Sequence, residues 1–148
     1  MCDMQKTMVI TLTLLAMSAL AASTFALQTT TKTIPSGGSI KGVGVGVYWN
    51  SMCTNATTSI PFGLLEPGAS KSYTLYLKNE GNTAVTLSML AQNWSPSAAG
   101  TYMTVFWNRE GASIGAGQTI SCILTLSVSP SIQGIDTFAL DIVITGQG

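Results

Sequence analysis

From residue 38 to its end the chain repeats apolar side chains at every second position, and the runs are separated by Gly, Pro, Asn and Asp. That period belongs to strands, whose side chains point alternately to opposite faces; outside the first segment no comparable window shows the 3.6-residue period of a helix. In "KSYTLYLKN" Tyr73, Leu75 and Leu77 share a face, and past Asn82 Val85, Leu87, Met89 and Ala91 alternate with Thr86, Ser88, Leu90 and Gln92. Asn79-Glu80-Gly81-Asn82 between them reads as a tight hairpin joining antiparallel neighbours. Glu66-Pro67-Gly68 carries Pro and Gly in the order a type II turn needs. A Ser/Pro/Ala/Gly loop at residues 95–100 leads into "TYMTVFWN", where Met103, Val105 and Trp107 share a face, and Arg109-Glu110-Gly111 turns the chain. Ile120, Cys122, Leu124, Leu126 and Val128 then point one way until Pro130, and Phe138, Leu140, Ile142 and Ile144 alternate with Asp141 and Thr145 at the end. The expectation is an all-β domain over residues 39–148, an Ig-like antiparallel sandwich of about seven strands.

"GSIKGVGVGVYWN" is the one stretch that imitates a phosphate-binding loop. Its glycines alternate strictly with valines, and Val47-Tyr48-Trp49-Asn50 follows instead of the Lys-Ser/Thr and helix that a P-loop requires. It therefore reads as a first strand from about Ile40 to Trp49. Val43, Val45, Val47 and Trp49 lie on one face, and Gly42, Gly44, Gly46 and Tyr48 on the other. Three glycines on one side give a smooth surface that a backbone, an aromatic ring of the same chain or a neighbouring subunit can approach closely.

The first segment is an address. After Lys6 come 21 residues without a charge, "TMVITLTLLAMSALAASTFAL", whose apolar part grades into small residues. Ala19-Leu20-Ala21 and Thr24-Phe25-Ala26 both fit the small-x-small pattern of signal cleavage. Residues 1–26 form a hydrophobic helix that is either a signal peptide removed on export or an uncleaved anchor, since residues 7–27 can just span a bilayer. Lys6 directs the rest of the chain outside. Asn55-Ala56-Thr57 and Asn93-Trp94-Ser95 are candidate N-glycosylation sites, the second followed by Pro96. With Cys2 lost with the signal, Cys53 and Cys122 either form a single disulfide or remain a loop thiol and a buried thiol.

Composition narrows the chemistry. Charged residues are 8% of the chain against roughly 25% in ordinary globular proteins, six basic and six acidic, and they are scattered. No basic stripe is available for nucleic acid. Histidine is absent, which removes the commonest general base and metal ligand together, and no Cys-x-x-Cys or calcium-loop spacing replaces it. Serines and threonines have no placed base to activate them, and Glu66, Glu80, Glu110, Asp136 and Asp141 stand singly. The expectation is a protein without catalytic residues, cofactor or metal. Tyr48, Trp49, Trp94, Tyr102, Phe106 and Trp107 are either core or a stacking platform for sugars. A net charge of zero favours self-association.

The phrases "GVGVYWNSMCTN", "LEPGASKSYTLYLKNEGNTAVTLSMLAQNW" and "LTLSVSPSIQGIDTFALDIVITG" resemble small secreted archaeal Ig-like surface proteins. They are also similar to the β-sandwich subunits of archaeal bundling pili and thread filaments, relatives of the TasA matrix fibres. That resemblance implies polymerisation by donor-strand exchange, in which one subunit's N-terminal segment completes a neighbour's sheet. The corresponding segment is residues 27–38, with Leu27, Thr29, Thr31, Thr33 and Ile34 as its candidate donor positions; Leu27 and Ile34, its two strongly apolar members, face opposite sides. The same residues also read as a flexible linker. The expected function is an extracellular, cell-surface structural subunit that assembles by strand exchange or sheet-edge pairing. The alternative is a monomeric membrane-tethered or secreted module that binds carbohydrate or a cell-envelope partner.

Overall fold

The computed structural model describes residues 34–148. The expected signal or anchor helix and the candidate donor positions Leu27, Thr29, Thr31 and Thr33 lie outside the described residues. Within them the chain is almost entirely strand: β1 (Ile34–Val43), β2 (Gly46–Tyr48), β3 (Ser59–Leu65), β4 (Ser70–Lys78), β5 (Val85–Ser95), β6 (Met103–Trp107), β7 (Ser113–Ile114), β8 (Thr119–Val128) and β9 (Phe138–Gln147), with one helical turn, α1 (Ala99–Tyr102). The strands form a five-stranded sheet in the order β3-β1-β9-β5-β7 and a four-stranded sheet in the order β2-β4-β8-β6.

Alternation produces these layers directly. Leu75 and Leu77 of β4, Cys122, Leu124, Leu126 and Val128 of β8, Leu87 of β5, and Phe138, Leu140, Ile142 and Ile144 of β9 are all buried, and with the buried side chains of β1 and β3 they form a single core. Burying side chains of this size stabilises by about 1.5–3 kcal/mol each, so both sheets are held by the same apolar interior. Nearly all pairings are antiparallel; the exception is β1, which runs parallel to β9 from Ser36 opposite Phe138 to Val43 opposite Thr145.

Three expectations are corrected. The single strand from Ile40 to Trp49 is two strands in different sheets: β1 ends at Val43, and β2 resumes at Gly46 beside β4. Gly44 turns the chain with a φ of +75°, which a residue with a Cβ adopts reluctantly. Secondly, Asn79–Asn82 is not a hairpin. β4 pairs with β2 and β8, while β5 pairs with β9 and β7, so this segment crosses from one sheet to the other. Thirdly, the segment over residues 27–38, expected as a linker or a donor strand, is from Ile34 a strand of the chain's own sheet, and the described residues hold nine strands where about seven were expected. The turn at Glu66–Ala69 is as expected, with Gly68 at a φ of +79° and the Ala69 N–H on the Glu66 carbonyl at 3.0 Å.

Candidate interaction edges

The two sheets offer edges and faces as interaction surfaces. Among the described residues no group of three or more His, Cys, Asp or Glu side chains is placed to hold a metal. The two sheets end in four strands: β3 and β7 in one, β2 and β6 in the other. An edge strand presents unpaired N–H and C=O groups that can template another chain unless proline, charge, a bulge or a cover blunts it.

Three of the four are blunted. β3 contains Pro61, is bent at Gly63 (φ +71°), and pairs with β1 through a register shift between Ser36 and Gly38. The Tyr73 hydroxyl, reaching across from β4, donates to the Pro61 carbonyl, and Lys71 stands 5.9 Å from the Tyr73 ring. β7 is two residues long and pairs only with Val85 and Thr86. Just past it the Leu87 N–H donates to the Ala112 carbonyl at 2.8 Å and the Met89 N–H to the Glu110 carboxylate at 3.1 Å, and at its far end β5 shifts register between Gln92 and Ser95, where Asn93 takes a φ of +53°. β2 is three residues long and has an extra row outside it. Tyr48 bridges Ala56, Trp49 N–H donates to the Asn55 carbonyl at 2.8 Å, and Thr57 N–H donates to the Val47 carbonyl at 3.0 Å. The Tyr48 hydroxyl also donates to the Glu80 carboxylate, and that acceptor holds the phenol pKa above its usual value.

β6 is different. Met103-Thr104-Val105-Phe106-Trp107 has no proline, glycine or charge, and it pairs with β8 in unbroken register from Met103 opposite Val128 to Trp107 opposite Leu124. Met103 points inward and is buried, while Phe106 points outward and is 51% exposed. Ile123 of β8, on the same outer face, is 48% exposed. The far end of β6 is fixed by the Trp107 indole N–H on the Glu110 carboxylate at 2.7 Å, which also accepts the Met89 N–H at 3.1 Å.

The other sequence-predicted positions fall elsewhere. Ile34 is fully buried in β1 opposite Leu65, so it fills the core of its own chain. The glycine set marks close approach within the same chain. A Cβ on Gly42 would sit 2.0 Å from the Val45 carbonyl oxygen, one on Gly44 2.5 Å from that of Gly146, and one on Gly46 2.5 Å from the Tyr48 ring. Cys53 and Cys122 are both free thiols, and no bridge joins them. Cys122 faces the core from β8, and burial pushes its pKa up to about 11. Cys53, in a loop, has its Sγ 3.5 Å from the Thr119 hydroxyl, three residues along β8 from Cys122 and on the opposite face. Three residues of strand are about 10 Å, too far for a disulfide. Asn55 is exposed in the segment between β2 and β3. Asn93 lies in β5, and its Nδ2 donates to Asp141 at 2.8 Å. Hydrogen bonds from Ser39 and then Asn93 hold that carboxyl below the usual carboxylate range. Of the aromatic set, Trp49, Trp94, Tyr102 and Trp107 pack against the core, and Trp49 meets Tyr73 edge-on at 5.6 Å.

Two features escaped the sequence reading. β3 breaks its own alternation with Pro61 and Gly63. The buried Asn79 gives no hydropathy signal, though Asn four residues before Thr83 is compatible with a side-chain-stabilised turn. No protein-family model matches this chain, and no curated protein matches it.

Proposed function

We propose that this chain is an extracytoplasmic, non-enzymatic structural subunit with an Ig-like sandwich, and that it assembles by sheet-edge pairing at β6. The observation that carries the reading is the contrast among edges: among the described residues three are shortened, bent or covered, and β6 alone keeps an uncharged five-residue template in unbroken register, with an exposed phenylalanine. A neutral, charge-poor surface adds no repulsion between copies. Crossings between sheets at Asn79–Asn82 and between β6 and β7 support the Ig-like comparison. Edge pairing is favoured over exchange of residues 27–38, because the part of that segment within the described residues already lies between β3 and β9 of its own sheet. A monomeric sugar-binding module has less support, since four of its candidate stacking rings pack on the core.

Sedimentation of the exported protein tests the reading. Pairing through one edge in each copy closes a symmetric dimer, so the wild type dimerises as concentration rises, and Phe106→Lys, which places a charge on an exposed edge position, shifts it to monomer. A wild-type chain that stays monomeric up to millimolar concentration sinks the proposal.

A further inference from the structure

Two N-glycosylation sequons are present, and their surroundings differ in a way that the triplets alone do not show. Asn93 is part of strand β5, its backbone is held at positive φ by the bulge, and its Nδ2 is committed to Asp141, which Ser39 of β1 also engages. A sugar on that nitrogen would replace one of its two hydrogens and crowd a hydrogen-bonded group tying β5 to β9 and β1. Both asparagines are exposed, but Asn55 belongs to an irregular segment rather than a strand. Its peptide group is anchored on both sides, with its N–H on the Asn50 Oδ1 at 3.0 Å and its carbonyl on the Trp49 N–H at 2.8 Å, while Ala56 bridges Tyr48. The backbone is thus fixed where the side chain is open to solvent.

We infer that Asn55 carries an N-linked oligosaccharide and that Asn93 does not. This rests on the export reading. In the transfer step, Asn55 Nδ2 forms a bond to the anomeric carbon of an oligosaccharide donated by a lipid-linked pyrophosphate. The bond from that carbon to the phosphate oxygen breaks, the lipid pyrophosphate leaves, and Nδ2 gives up one proton to solvent. The exporting membrane supplies the donor and the transferase.

The position has a structural consequence. Residues 55–57 form the row outside β2, at the end of the four-stranded sheet opposite β6. A hydrated glycan there closes that end to another strand and leaves β6 as the free end of the four-stranded sheet.

Intact-mass analysis of the protein exported by the cells that produce it, with Asn55→Gln and Asn93→Gln copies expressed beside it, tests the inference. The expected result is a saccharide mass increment on the wild type, retained in Asn93→Gln and absent from Asn55→Gln. An increment that survives in Asn55→Gln, or disappears in Asn93→Gln, overturns the assignment. Exported protein with no increment overturns the glycan and leaves the export reading standing; protein retained unmodified in the cytoplasm overturns both.

Discussion

At the scale of single residues the glycines are the sharpest test, because identical substitutions in one strand have opposite expected effects. Gly42→Ala drives a Cβ into the Val45 carbonyl at the point where the chain leaves one sheet for the other, and backbone must move to relieve it. The expected loss is about 2 kcal/mol or more, read by urea unfolding. Gly37→Ala in the same strand has nothing within 4 Å of its new Cβ, and should be neutral or stabilising by up to about 1 kcal/mol. Equal effects from both would show that the crossing is not where the constraint lies. Cys122 supplies a second residue-scale prediction. Its folded pKa of about 11 lies above the value of 9.0 for an exposed thiol, so its contribution is fully present below pH 9 and is lost as pH rises toward 11. Cys122→Ala should therefore flatten the stability profile across that window relative to wild type. In native protein at pH 8, iodoacetamide should label Cys53 and leave Cys122 intact until denaturant is added.

The elements show what alternation reveals and what it conceals. Two-residue rhythm located β4, β5, β6, β8 and β9 and assigned their inward faces, because burying one face of a strand is a local property written in every second side chain. Rhythm says nothing about which sheet a strand joins. Val43, Val45 and Val47 keep the alternation through a change of sheet, yet Val43 is 44% exposed while Val45 and Val47 are buried. At Asn79 the misreading had the same origin, since a turn-rich tetrapeptide between alternating strands fits a hairpin and an inter-sheet corner equally well. The corner is decided by a side chain with no exposure, whose Nδ2 donates to the Thr83 carbonyl at 2.7 Å and the Ile114 carbonyl at 3.1 Å and whose Oδ1 accepts the Gly81 N–H at 2.9 Å. Truncation leaves buried backbone groups unpaired. Asn79→Ala should cost about 2–3 kcal/mol, and Asn79→Asp should not rescue it, because a carboxylate cannot donate to those carbonyls. A melting temperature within a degree of wild type for either variant would remove Asn79 from this role.

For the whole molecule, the all-β architecture was readable from the sequence, whereas the candidate interaction edge was not. The residues of β6 stand out only when its neighbours are known, since being at the end of a sheet depends on pairings far away in sequence, such as Val105 with Leu126. The blunting of the other edges is likewise long-range: Tyr73 covers Pro61, and residues 55–57 cover β2. Hydrogen exchange of the exported protein, followed by peptide mass spectrometry at low and high concentration, bears most directly on edge pairing. The expected result is slower exchange at high concentration confined to the peptide containing Met103–Trp107. Protection that instead appears in the peptides of β2 or β3, or in none, would contradict assembly through β6.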